Sequence, residues 1–188
     1  MGSKIYTRKG DLGRTSLFSG EKVDKDDLRL EGYGALDELQ AQLGAARSVL
    51  KDSELCALLI QIQRDISAAC AELASNSEVR SRLGRHITEE DTQRLERCID
   101  SYTSQFALPN YFILPGRTPA SAALHVARTV CRRGERMLVA VNRELGGYEE
   151  ILRYFNRLSD LLFVLAWSLE VMAVVEDAVQ EVVSCATK

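Results

Sequence analysis

Histidine, proline and tryptophan are scarce in this chain of 188 residues, which holds two, three and one of them. Neither His86 nor His125 follows a glutamate by three positions, which excludes a di-metal carboxylate bundle built on Glu-x-x-His pairs. The five cysteines, Cys56, Cys70, Cys98, Cys131 and Cys185, are odd in number and form no C-x-x-C pair. That argues against a disulfide framework or zinc site, and most sit among apolar residues as small core side chains in a reducing compartment do. A basic excess is missing too: 24 Lys and Arg against 27 Asp and Glu leave a net charge of −3. A general nucleic-acid binder is therefore not expected, and any positive site must be local. Nor is there a comfortable membrane span, because the most apolar run, "LLFVLAWSLEVMAVV" from Leu161, is interrupted by Glu170 and reads as a buried helix. No secretory signal opens the chain. The cytoplasm is the expected compartment, with a mitochondrial protein trimmed of its transit peptide as the alternative.

What is present is helical periodicity. Residues 1–27 carry glycines and polar residues, and read as a loop with short extended pieces. Apolar residues then recur at Leu36, Leu39, Leu43, Ala46 and Leu50, one face of a helix from Leu28 to about Leu50. A second helix is predicted from Ser53, followed by a polar loop at "SNSEVRSRLGRH". Thr88 and Asp91 mark the start of a third helix, running to about Gln105. "ALPNYFILPGR" is an irregular connection between prolines 109 and 115. Thr118 caps a fourth helix, with Pro119 at its first position where the missing N–H costs nothing. It reaches about Glu144, and a fifth begins near Tyr148 and passes Val175. The expectation is one all-α domain over 1–188, a five-helix up-and-down bundle over 28–188 behind an N-terminal loop.

The fourth helix contains "HVARTVCRRGER", four arginines among Ala123, Leu124, Val126, Ala127, Val130, Cys131, Leu138 and Val139, all of which suit a core. At 100° per residue, Arg128, Arg132, Glu135, Arg136 and His125 share one face about 100° wide, while Arg133 points elsewhere. Asn156, Asp160 and Arg153 form a similar stripe on the fifth helix. On spacing alone a solvated face laced with ion pairs is the commoner arrangement. Gly134, however, interrupts the helix and lets another group come close, and arginine forks suit phosphate and carboxylate oxygens. The N-terminal "YTRKGDLGRTSLFSG" mixes glycines with hydroxyls in a way that can cradle phosphates, although it is no Walker A motif.

Together "IYTRKGDLGRTSLFSGE", "KDD", "YGALDEL", "FILPG", "LHVARTVCRRGER" and "NRLSD" resemble, in order and spacing, the PduO-type ATP:cob(I)alamin adenosyltransferases, over residues 4 to about 166. The resemblance implies a ferritin-like five-helix bundle that forms homotrimers with active sites between subunits. It implies transfer of the 5′-deoxyadenosyl group of ATP to Co(I) of a reduced corrinoid, giving adenosylcobalamin and triphosphate. By matching positions, Thr7, Arg8, Lys9, Gly10, Thr15, Ser16 and Lys25 would bind ATP, with Arg132, Glu135, Arg136 and Asn156. Mg²⁺ would enter mainly through the ATP phosphates. Asp37 would pair across the subunit interface with Arg128, and Phe112 would displace the lower axial ligand of the corrinoid. From the residues alone, core packing is the preferred reading of Phe112. A corrinoid reductase and an adenosylcobalamin-dependent enzyme are the implied partners.

The chain departs from the family pattern at Leu12, where lysine is common, at Arg117, where a second glycine is usual, at Gly134 in place of alanine, and at Trp167 in place of arginine. A second reading keeps the fold and makes the protein an ATP-gated corrinoid carrier with little turnover; a third makes it a purely structural trimer.

Overall fold

The structure, a computed structural model, describes residue 6 and residues 8–186. In chain order it comprises β1 (Arg14–Ser16), β2 (Lys22–Asp24), α1 (Leu28–Val49), α2 (Ser53–Leu73), α3 (Ser77–Arg80), α4 (Glu89–Gln105), α5 (Pro119–Leu145) and α6 (Glu149–Ala186).

Side-chain caps account for these helix starts, and those at Thr88 and Thr118 are the expected ones. Asp27 accepts the Arg29 N–H at 2.8 Å at the head of α1, and Asp52 accepts those of Glu54 and Leu55 at the head of α2. At α4 the Thr88 N–H donates to Asp91 Oδ2 at 3.0 Å, closing the capping box. At α5 the Ser121 N–H donates to Thr118 Oγ1 at 3.0 Å, with Pro119 in the first turn. Gly146, at φ 69°, ends α5 in a backbone conformation that favours glycine.

The polar stretch after α2 is not all loop, since Asn76 caps the short helix α3 by accepting the Val79 N–H at 2.9 Å. The N-terminal extended pieces form an antiparallel hairpin in which Thr15 faces Val23. Leu17 and Val23 are its buried side chains, and the Ser19 N–H donates to Ala74 O at 3.3 Å, which moors the hairpin to the end of α2. Arg29 ties it to α1 through Glu21 at 3.1 Å and Asp27 at 2.8 Å.

α5 packs between α1 and α6, α6 also meets α4, and α1 also meets α2. Leu36, Leu39 and Leu43 of α1, Leu124 and Leu138 of α5, and Tyr154, Phe155 and Leu158 of α6 are fully buried between them. The freedom expected at Gly134 is used by α1, because a Cβ there would lie 3.1 Å from Leu36 Cδ2.

Three expectations of burial are corrected. Val126 and Val139 are 46% and 49% exposed, lying on the outer side of α5. His125, expected on the charged stripe, is buried at 4% exposure. The apolar run from Leu161 is core only as far as Glu170; beyond it α6 runs clear of the bundle, leaving Met172, Val174 and Val175 exposed.

The bundle is stapled at one place by charge. Asp65 of α2, 1% exposed, accepts hydrogen bonds from Tyr154 OH of α6 at 3.0 Å, from Arg85 Nη2 and Gln61 Nε2 at 3.1 Å, and from Arg94 of α4. Arg85 and Arg94 also grip Asp91, at 2.7 and 2.8 Å. Burial pushes the Asp91 carboxyl up, but hydrogen bonds from Arg85, Arg94 and Thr88 outweigh it and hold the group at about 2.

Removing one member of such a buried network leaves its partners uncompensated, at a cost of roughly 3–5 kcal/mol. Asp65→Ala should therefore lower the melting temperature by about 10 °C, read by circular dichroism. A change under about 2 °C would show that the network contributes nothing net. Because the folded Asp91 titrates below its unfolded value of about 3.9, its stabilisation is complete above that pH. It is lost as pH falls toward about 2. Denaturant midpoints should be flat from pH 7 to about 5 and fall steeply below about 4, with a shallower fall in Asp91→Asn.

Candidate functional site

The N-terminal candidates gather on the hairpin, except Thr7, which lies outside the described residues. Lys9, Gly10, Thr15 and Ser16 line an open cleft of about 670 Å³, together with Arg14 and Lys22, which the sequence reading did not assign. Arg8 is exposed at φ 60°, a left-handed conformation costing a non-glycine residue about 1 kcal/mol. Gly10 leaves room for Lys25: a Cβ there would stand 3.2 Å from Lys25 Nζ. The Lys25 N–H donates to Gly13 O at 2.8 Å, folding the lysine back over the loop. On the other side of Thr15 and Lys25, a second cleft of about 350 Å³ opens against Tyr33, Gly34 and Ala35 of α1. Arg133 of α5 lines it and pairs with Glu38. No spacing rule could assign Arg133 here, because its surroundings come from α1 and the hairpin, not from its own helix.

On α5 and α6 the arginine stripe is assembled without its histidine. Arg128 and Arg132 line a cleft of about 300 Å³ with Ser159, Asp160 and Phe163 of α6. Asn156 Nδ2 donates to Glu135 Oε1 at 2.8 Å, so these two expected nucleotide residues meet across the helices. Arg136 Nη1 donates to Arg132 O at 3.1 Å. Neighbouring arginines have acidic partners: Arg153 with Glu150 at 2.7 Å, Arg157 with Glu96 at 3.0 Å and Asp160 at 3.1 Å. Among the described residues, Arg128, Arg132 and Arg136 form no ion pair, and Arg128 Nε is buried without a hydrogen-bond partner. Arg153 is thus held by a carboxylate of its own helix. Asp37 stands exposed on α1 and does not pair with Arg128 within the chain.

His125 sits behind the stripe. Its ring lies edge-on to Phe163, 6.2 Å between centroids, and both ring nitrogens lack a hydrogen-bond partner. Burial lowers its pKa, Glu170 at 3.6 Å opposes that, and Arg128 adds to the lowering. The imidazole is therefore neutral near pH 7 and cannot supply the positive charge its helical position suggested.

Phe112 lies on the connection between α4 and α5. It is 105% exposed, which rules out core packing, and it lines a fourth cleft of about 390 Å³ with Tyr111, Leu114, Arg117, Trp167 and Glu170. Within one chain the hairpin, the arginine stripe and Phe112 thus border separate clefts. Among the described residues no three His, Cys, Asp or Glu side chains gather to hold a metal ion. Glu135 and Asp160 are the carboxylates beside the unpaired arginines, a donor set that suits Mg²⁺ carried on phosphate oxygens but not a cage of the protein's own.

A family model described as cobalamin adenosyltransferase matches residues 5–169. A corrinoid adenosyltransferase of Citrobacter freundii is 47% identical over 163 residues, covering 87% of this chain and 93% of that protein. The corrinoid adenosyltransferase PduO of Salmonella typhimurium is 45% identical over 162 residues; the match covers 86% of this chain and 48% of that longer relative. Among solved structures, a variant PduO-type ATP:corrinoid adenosyltransferase from Lactobacillus reuteri, complexed with cobalamin and ATP, aligns with a TM-score of 0.84 at 34% identity. The alignment covers 90% of this chain and 95% of that one. Another variant from the same organism, complexed with ATP, aligns with a TM-score of 0.82 at 34% identity, over 90% and 95% of the two chains. With the matched model spanning most of its length and a relative at 47% identity matched over 93% of its own, the chain belongs to the cobalamin adenosyltransferase family.

Proposed function

We propose that the protein transfers the 5′-deoxyadenosyl group of ATP to the cobalt of a reduced corrinoid, releasing triphosphate. The observation that carries the reading is the cluster of three arginines without an ion pair, Arg128, Arg132 and Arg136, beside Arg133, Arg153 and Arg157, which each have an acidic partner. Like charges four apart on a helix cost a few tenths of a kcal/mol each, so the stripe is arranged for a polyanion and not for the free protein. In the reaction the cobalt electron pair forms the Co–C5′ bond. The C5′–O bond breaks, and triphosphate leaves with its electrons. No side chain attacks. Arg132 and Arg136 hold the phosphates and stabilise the charge that develops on the leaving group. Asn156 keeps Glu135 turned toward the nucleotide. Mg²⁺ bound to the phosphates would neutralise them further.

The assembly that serves this chemistry is a homotrimer of single-domain, up-and-down five-helix bundles. The N-terminal segment 1–27, bearing Thr7, Arg8, Lys9, Gly10, Thr15, Ser16 and Lys25, meets the arginine stripe of a neighbouring subunit. Asp37 pairs with the neighbour's Arg128, whose partnerless buried Nε supports this. Phe112 displaces the lower axial ligand of the corrinoid; its full exposure leaves it available. A corrinoid reductase supplies the Co(I) state and an adenosylcobalamin-dependent enzyme takes the product, in the cytoplasm.

With chemically reduced cob(I)alamin and MgATP under anaerobic conditions, the visible spectrum should show ATP-dependent growth of adenosylcobalamin. Arg132→Ala should lower kcat/KM roughly 10- to 100-fold while the fold is retained, the loss expected of a hydrogen bond to charge. Tight corrinoid binding with negligible turnover in the wild type would favour the carrier reading. For the interface, Asp37→Arg or Arg128→Asp alone should dissociate the trimer in sedimentation velocity, and the double reversal should restore it. Trimers that survive both single reversals would remove the pair.

A further inference from the structure

A phenylalanine that buries nothing has no packing to hold it, so the place of Phe112 must be set by its backbone. The connection over 106–118 is tied to α6 near both ends. On the α4 side, the Trp167 indole N–H donates to Ala107 O at 2.8 Å. On the α5 side, the Gly116 N–H donates to Glu170 Oε1 at 3.1 Å. Residues three apart share a helix face, so one turn of α6 presents both anchors. Gly116 has φ 112°, a conformation that L side chains rarely adopt.

The Glu170 anchor differs in kind from the third tie. Arg117 meets Asp177 at 2.8 Å, but both side chains are about half exposed or more, and such a pair contributes little. Glu170 is 6% exposed, and a buried carboxylate left without its donor is costly, so the Gly116 hydrogen bond is strongly held. The neutral His125 imidazole, its Nε2 3.6 Å from the same Glu170 oxygen, stands too far to replace it.

We infer that Trp167 and Glu170 are positioning residues, clamping the two ends of the 106–118 connection to α6 and thereby setting where Phe112 meets the corrinoid. The clamp stands on the hydrogen bonds above; its consequence for the corrinoid rests on the function proposed for this chain.

The test compares wild type, Trp167→Phe, Glu170→Leu and Glu170→Gln. Trp167→Phe keeps an aromatic ring without the donor, and Glu170→Gln keeps an oxygen acceptor. Amide hydrogen exchange across 107–117 should quicken roughly three- to tenfold in Trp167→Phe and Glu170→Leu, as a lost hydrogen bond predicts. Their Kd for cob(II)alamin in the presence of ATP should rise by a similar factor, KM for ATP should stay within twofold, and Glu170→Gln should restore both readouts. Wild-type exchange rates in both clamp variants would overturn the clamp. Faster exchange with unchanged cob(II)alamin affinity would overturn the positioning role. A wild type that binds no corrinoid would instead remove the proposed function, while the exchange rates still decide the clamp.

Discussion

The buried carboxylate of Asp65 is the constraint on which the arrangement of helices depends. A charge at 1% exposure is tolerated only if its lone pairs are occupied, and here two guanidinium groups, a phenol and an amide occupy them. These donors come from α2 itself, from the segment before α4, from α4 and from α6, so one anion fixes the mutual height of three helices. Tyr154 is the α6 member. Once its hydroxyl is held, the rotation of α6 is held with it, and Asn156, two residues on, comes to face Glu135 of α5. Further along the same helix, Trp167 and Glu170 take their places beneath the Phe112 connection. The anion touches no candidate site residue, yet it sets the register in which they stand.

α5 carries the complementary constraint. One side lies so close to α1 that a side chain at Gly134 would press on Leu36, and the other side meets α6. What remains outward is a narrow surface, and there the helix sets Arg128, Arg132 and Arg136 without acidic partners. A chain with more acidic than basic residues has carboxylates to spare. The stripe's own carboxylate, Glu135, is instead engaged by Asn156, so the three arginines keep a mutual repulsion that a polyanion would relieve.

Much of this was legible in the residues. Thr88 with Asp91, and Thr118 with Pro119, announce helix starts through local chemistry that depends on nothing distant. Periodicity located the core faces of α1 and α2 for the same reason. Where the outcome depended on another element, the sequence was mute or misleading. His125 shares an angular sector with the arginines but is covered by α6, and only that covering makes it buried and neutral. Val126 and Val139 have core-like side chains on a side of α5 that no helix of this chain covers. Arg14 and Lys22 became neighbours of Lys9 only through hairpin register. The family resemblance supplied candidate roles for Asp37 and Phe112 that spacing could not, while the anchors of the Phe112 connection emerged only from three-dimensional contacts.

Trp167 has one more property. It is the chain's only tryptophan, and it lines the cleft that Phe112 overhangs. Light absorbed at the red edge of the aromatic band is thus emitted from a single address, against the segment proposed to meet a strongly coloured macrocycle. The protein carries its own optical probe of that encounter, with no label to attach and no second emitter to subtract.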